Sequence, residues 1–160
     1  LMISGTLSAF VIGQYQSLLD SVVVLSSYMT IITGTGGNAG SQASAMIIRG
    51  MALGEIQMRD TLKVIGKELA VGLICGTILA AVNMLRMIVF GRGTSFNIDL
   101  AVSLSMGVAV VLAKTIGCIL PILAKAVRLD PAMMAGPLIS TVVDAVALVV
   151  YFSIATVLVL

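Results

Sequence analysis

The 160 residues are 59% hydrophobic and 10% charged, with a mean hydropathy of +1.18. Nine Lys/Arg and seven Asp/Glu are too few to cover a soluble domain, where the charged share is roughly 25%, so lipid is the solvent for most of this chain. A net charge of +2 implies no nucleic-acid partner, and a chain without histidine or a CxxC pair argues against zinc or haem sites. Any bound metal is expected to be a hard, oxygen-seeking cation.

With about 20 apolar residues per crossing as the yardstick, the sequence divides into five candidate helices. The opening "LMISGTLSAFVIG" has neither a basic n-region nor a small-residue cleavage signal. It reads as a short first span, about Leu1 to Gln14, of a membrane domain cut from something longer or preceded by further residues, and not as a signal peptide. The second span runs from about Leu18 to Ile48 and is interrupted by "GTGGNAGSQ", Gly34 to Gln42. The third covers about Leu62 to Phe90 and is followed by a turn-like "GRGTSFN". The fourth runs from about Ile98 to Val127 with Pro121 inside it, and the fifth from about Pro131 to Leu160 with Pro137 inside it. In the connection "RLDPAMM", Asp130 is a good N-cap and Pro131 suits a first helical position. Cys75 and Cys118 fall inside apolar runs and read as small hydrophobes.

Lys/Arg placement sets the orientation. Arg49, Arg59, Lys63 and Lys67 lie between spans two and three, and Lys125 and Arg128 between four and five, against Arg86 and Arg92 on the other side. Residues 49–67 and 125–131 are therefore expected in the cytoplasm and the C-terminus outside, which suits a multi-pass protein of the plasma membrane.

Ionisable residues inside a span are costly and mark functional candidates. Glu68, at the start of span three, reads as a carboxylate favoured by a helix N-terminus and within reach of cytoplasmic water. Asp144 lies 13 residues beyond Pro131, roughly 20 Å into the bilayer at 1.5 Å per residue. Ser140 and Thr141 precede it by one turn, and Pro137 is expected to free the carbonyl of Met133, so one face of the helix offers oxygen ligands. Asn38, 11 residues before Arg49, is roughly 16 Å above the cytoplasmic end and so level with Asp144. Glycine-rich backbone at that depth lines a cavity or is covered by protein.

Blander readings stand beside this one. Gly36 and Gly40 are also a small-xxx-small pair that would let two helices approach closely. Lys114, likewise roughly 16 Å from the cytoplasmic end, could pair with Asp144 and leave no site for a transported ion. From these residues alone, pair and pathway stand as equals. Gly34, Gly36 and Ala39 also fit a dinucleotide fingerprint, but no βαβ context surrounds them.

The segments "GTGGNAGSQASAMIIRGMALGEI", "GKELAVGLICG" and "GCILPILAKAVRLDPAMMAGPLISTVVDAVALVVYF", in that order, resemble the transmembrane domain of the MgtE family of magnesium transporters, from about Gly34 to Phe152. The resemblance implies an all-α membrane protein: a homodimeric bundle of five transmembrane helices per subunit, with a pathway at or near the dimer axis lined mainly by spans two and five. It implies that Asp144 of each subunit recognises a largely hydrated Mg²⁺, with Gly34, Gly37, Asn38, Gln42, Pro137, Ser140 and Thr141 along the route and Asn38 the favoured side chain among them. Mg²⁺ gives up water reluctantly, which agrees with a wide site of this kind, although Mn²⁺, Co²⁺, Ni²⁺ and Ca²⁺ also take oxygen ligands.

Typical members also carry a cytoplasmic N-terminal domain and paired CBS modules, which are not among these 160 residues; the chain reads as one transmembrane domain, and gating by CBS modules is not carried over. The expected activity is channel-like Mg²⁺ uptake without enzymatic chemistry. The alternatives are an exchanger of Mg²⁺ for Na⁺ or H⁺, with Lys114, Glu68 and Asp144 as relay groups, and a non-transporting scaffold.

Overall fold

The computed structural model describes residues 2–90, 94–134 and 136–160. Among them every regular element is helical: α1 (Met2–Gln14), α2 (Gln16–Ser21), α3 (Met29–Ala52), α4 (Thr61–Phe90), α5 (Phe96–Ala126) and α6 (Pro137–Val159), with short 3₁₀ turns at Val23–Tyr28, Met58–Asp60 and Pro131–Met134. The turn segment Gly91–Gly93, with Arg92, lies outside the described residues.

Helix α5 is the axis of the bundle, against which α3, α4 and α6 all pack. Ser95 starts it by accepting the N–H of Ile98 at 3.4 Å, Asp99 in the first turn and Lys125 in the last complement the dipole, and Pro121 lies inside it as expected. Of its most apolar stretch 56% is buried, against 17% for α4. The outward face of α4, with Ile74, Ile78, Val82 and Leu85 exposed, therefore suits lipid. Among the described residues three helices, Met58–Phe90, Phe96–Ala126 and Pro137–Val159, are long and apolar enough to cross a membrane. Helix α3 has 24 residues, about 36 Å at the helical rise, but its glycine and amide run dilutes its hydropathy.

Small residues set how closely the helices approach. A Cβ on Gly117 would land on the carbonyl oxygen of Gly40, and one on Gly40 would come 3.0 Å from Val143 and 3.1 Å from the Ala113 carbonyl, so α3, α5 and α6 meet nearly backbone to backbone. On the other side of α5, a Cβ on Gly76 would sit 2.6 Å from the carbonyl oxygen of Gly107. Such close crossings give helices in lipid their dispersion contacts.

The second span is not one helix. The backbone leaves the α conformation at Val22 (φ −137°, ψ 73°) and passes through a 3₁₀ turn before α3 begins. The buried Tyr151 hydroxyl donates to the Leu25 carbonyl at 2.8 Å, supplying a partner in this irregular stretch. Leu25, Tyr151, Phe152 and residues of α1 and α2 form the main apolar cluster, in which the Tyr15 and Phe152 rings stack 4.9 Å apart. "GTGGNAGSQ", by contrast, is continuous α-helix: its glycines thin α3 without breaking it.

The fifth span also starts later than expected. Pro131–Met134 is a 3₁₀ turn whose N-terminal amide, on Ala132, is capped by Asp130 at 2.9 Å, and α6 begins at Pro137 behind Gly136, whose φ of 73° suits a residue without a Cβ. Pro137 thus occupies the first turn, where no helical hydrogen bond is lost, and the expected release of the Met133 carbonyl does not apply. Asp144 is then seven residues into α6, about 10 Å from its start and not about 20 Å. The connections after α3 and α5 lie at one end of the bundle, where Ile48, Met51 and Ala52 share a cleft with Lys125, Asp130 and Pro131. Both helices leave through Schellman turns, with Gly54 (φ 75°) and Arg128 (φ 62°) in the left-handed position.

Candidate ion pathway

The three intramembrane charges separate into two sites. Lys114 of α5 reaches Glu68 of α4 at 3.2 Å, and both side chains are about nine-tenths buried. The Lys114 to Asp144 pair considered above does not form, and Glu68 is not the solvated carboxylate expected at a helix start. The reason is the crossing of α4 on α5. Gly72, one turn beyond Glu68, leaves only 3.7 Å between its would-be Cβ and the Cβ of Lys114, so the two backbones come close enough for the side chains to meet. Each charge is thereby neutralised, and neither is left uncompensated in the membrane.

Asp144 has no such partner: among the described residues it makes no ion pair and no side-chain hydrogen bond, and it is half-buried. Its Oδ1 lies 3.4 Å from where a Cβ on Gly37 would be, an ordinary van der Waals spacing, so a glycine face leaves the carboxylate uncovered. A cavity of about 190 Å³ adjoins it, lined by Ser8 and Ile12 of α1, Met29, Thr30 and Thr33 of α3, and Leu148 of α6. Thr30 and Thr33 precede Gly37 by seven and four residues and so share its face; that spacing would have identified them from the sequence. Ser140 and Thr141 stand one turn before Asp144, and both hydroxyls donate back to the Pro137 carbonyl, at 3.1 Å and 2.6 Å.

The polar run of α3 serves two faces. Gly36 and Gly40 are buried against Val143, Ala147 and Ala113, as the packing reading expects, while Gly37 turns to Asp144. Gly34 is open, with nothing within 4 Å of a Cβ. Asn38 and Gln42 are exposed, and they line a different cavity from that of Asp144. That second cavity, about 260 Å³, also involves Thr35, Ala39, Cys75, Val110 and Lys114. Asn38 follows Gly37, which lies beside Asp144, but points to the α4 and α5 side of the helix.

Among the described residues no group of three or more His, Cys, Asp or Glu side chains converges. One chain therefore offers a lone carboxylate, hydroxyls and backbone, which suit an outer-sphere contact with a hydrated hard cation and not a dehydrated cage.

The model of the MgtE family, described as a divalent cation transporter, matches residues 29–154, which spans α3 to α6 and includes every polar group above except the α1 residues. The chain belongs to the MgtE family. It is 31% identical over 158 residues to the magnesium transporter MgtE of Thermus thermophilus, covering 99% of this chain and 34% of that protein. It is 29% identical to the magnesium transporters MgtE of Bacillus subtilis, over 160 residues, and Enterococcus faecalis, over 156, covering 98% of this chain in each case. The chain thus spans about a third of the length of these MgtE relatives.

Proposed function

We propose that this chain is a single transmembrane domain, residues 1–160, that carries Mg²⁺ across the plasma membrane as a homodimer of five-span subunits. The observation that supports this most is Asp144, a half-buried carboxylate beside Gly37 that has no partner among the described residues, in a chain of a cation transporter family. Two such carboxylates, one from each subunit, would repel each other when empty and are relieved by one divalent ion between them. The exposed face of α3, with Gly34, Asn38 and Gln42, supports a pathway bordered by a second copy, since a polar face of this kind is unfavourable against lipid.

With residues 49–67 and 125–131 in the cytoplasm and the C-terminus outside, a negative interior drives the ion inward, by roughly 2.3 kcal/mol per charge for each 100 mV. Transport then needs no chemical catalysis. The pairing of Glu68 with Lys114 supports the uncoupled, channel-like form over exchange for Na⁺ or H⁺, because two of the three candidate relay groups engage each other. Flux in vesicles that lack Na⁺ and pH gradients distinguishes these two forms. Asp144→Ala is expected to abolish Mg²⁺ uptake into proteoliposomes while folding and subunit association persist; undiminished flux would sink the assignment.

A further inference from the structure

We propose that Glu68 is a positioning residue for transport: it holds the Lys114 ammonium on the α4 side of the bundle, away from the polar face of α3. The inference rests on the functional reading above and concerns a pair that this reading leaves without a role.

Lys114 stands at a divide. Its side chain borders the cavity of about 260 Å³ that contains Asn38 and Gln42, yet its Nζ donates to Glu68 Oε2 at 3.2 Å. Glu68 in turn borders a separate cleft of about 370 Å³, next to the connection between α3 and α4, together with Glu55, Asp60, Lys63 and Lys67. The pair therefore lies between the two spaces, with Lys114 rooted at the cavity beside α3 and its ammonium drawn to Glu68 of α4. Asn38 adjoins Gly37 in sequence, and Gly37 meets Asp144, so an ammonium released into the Asn38 cavity would act on the level of the proposed ion site.

At that depth a free positive charge opposes a divalent cation through poorly screened surroundings. With Glu68 ionised and in contact, the pair is neutral overall and the charge of Asp144 is left unopposed. A Glu68 that merely braced α4 on α5 would have no such directional effect on cation affinity; Gly72, Gly76 and Gly107 already bring those helices together.

The test is Mg²⁺ uptake into liposomes holding the purified protein, with KM and maximal rate measured separately for the parent, Glu68→Gln, Lys114→Met and the double variant, at matched amounts of folded protein. Glu68→Gln is expected to raise the KM for Mg²⁺ by about tenfold or more. Lys114→Met is expected to leave KM unchanged or lower it, and the double variant to return within about threefold of the parent. Equal losses of maximal rate in the two single variants, tracking their melting temperatures with KM unmoved, would overturn the inference in favour of a bracing role. Should Glu68→Gln transport like the parent while Asp144→Ala is silent, only this inference falls. Should Asp144→Ala transport like the parent, the functional reading falls and this inference with it.

Discussion

Lys114 and Glu68 meet each other inside the bundle, whereas Asp144 meets a glycine. All three charges sit in apolar helices where an uncompensated charge is costly, yet the costs are met by opposite means. The α4 and α5 crossing draws a cation and an anion from residues 46 apart in sequence into one neutral, nine-tenths buried unit. The α3 and α6 crossing buries Val143 and Ala147 against Gly36 but stops short of covering the carboxylate next door. A neutral pair suits a wall; an uncovered carboxylate beside a cavity suits a site that a passing cation completes.

Substitutions that disturb one of these sites and spare the other test the contrast. The largest effect is expected from Asp144→Asn, which keeps shape and removes charge: Mg²⁺ uptake falls by about a hundredfold or more, while thermal unfolding in detergent moves little because no partner among the described residues is lost. Next, Gly76→Val attacks the paired site through its geometry. Its Cβ would stand 2.6 Å from the Gly107 carbonyl, so α4 must move off α5, at about 1–3 kcal/mol of stability, read as a lower melting temperature. Gly37→Ala is the counterpart on the unpaired side. Its Cβ fits at 3.4 Å from Asp144 Oδ1, so folding is expected to be normal while uptake falls several-fold, by about 1 kcal/mol in barrier, as a methyl crowds the water shell of the ion. A Gly37→Ala protein that transports like the parent would mean that Asp144 addresses the ion from another side. The smallest effect is expected from Asn38→Ala, about threefold or less in uptake, because Asn38 lines the Lys114 cavity and not that of Asp144.

Much of this architecture was legible beforehand. Spans three and four were expected at about Leu62–Phe90 and Ile98–Val127, and α4 and α5 run from Thr61 to Phe90 and from Phe96 to Ala126. Long apolar runs bounded by turn and capping residues leave little choice of register. The break at Val22–Tyr28 was not legible, since "VVVLSSY" has no glycine or proline; it is supported by the Tyr151 hydroxyl, which lies 126 residues away from Leu25. The start of α6 is not legible, because Pro131 and Pro137 both suit a first turn, and the left-handed Gly136 between them decides for the later one.

What the amino-acid order determined by itself is the inventory: three charges within apolar helices, a glycine and amide run in one of the helices, and basic residues concentrated in two of the connections. Counting residues at 1.5 Å each gives distance along a helix, but its origin is the helix start, which for α6 the fold sets at Pro137. The tertiary structure alone decided the partners, pairing Lys114 with Glu68 and leaving Asp144 to Gly37. Which face of a helix meets which neighbour depends on how closely backbones can approach at residues such as Gly72, Gly76, Gly107 and Gly117, and those crossings join positions far apart in the chain.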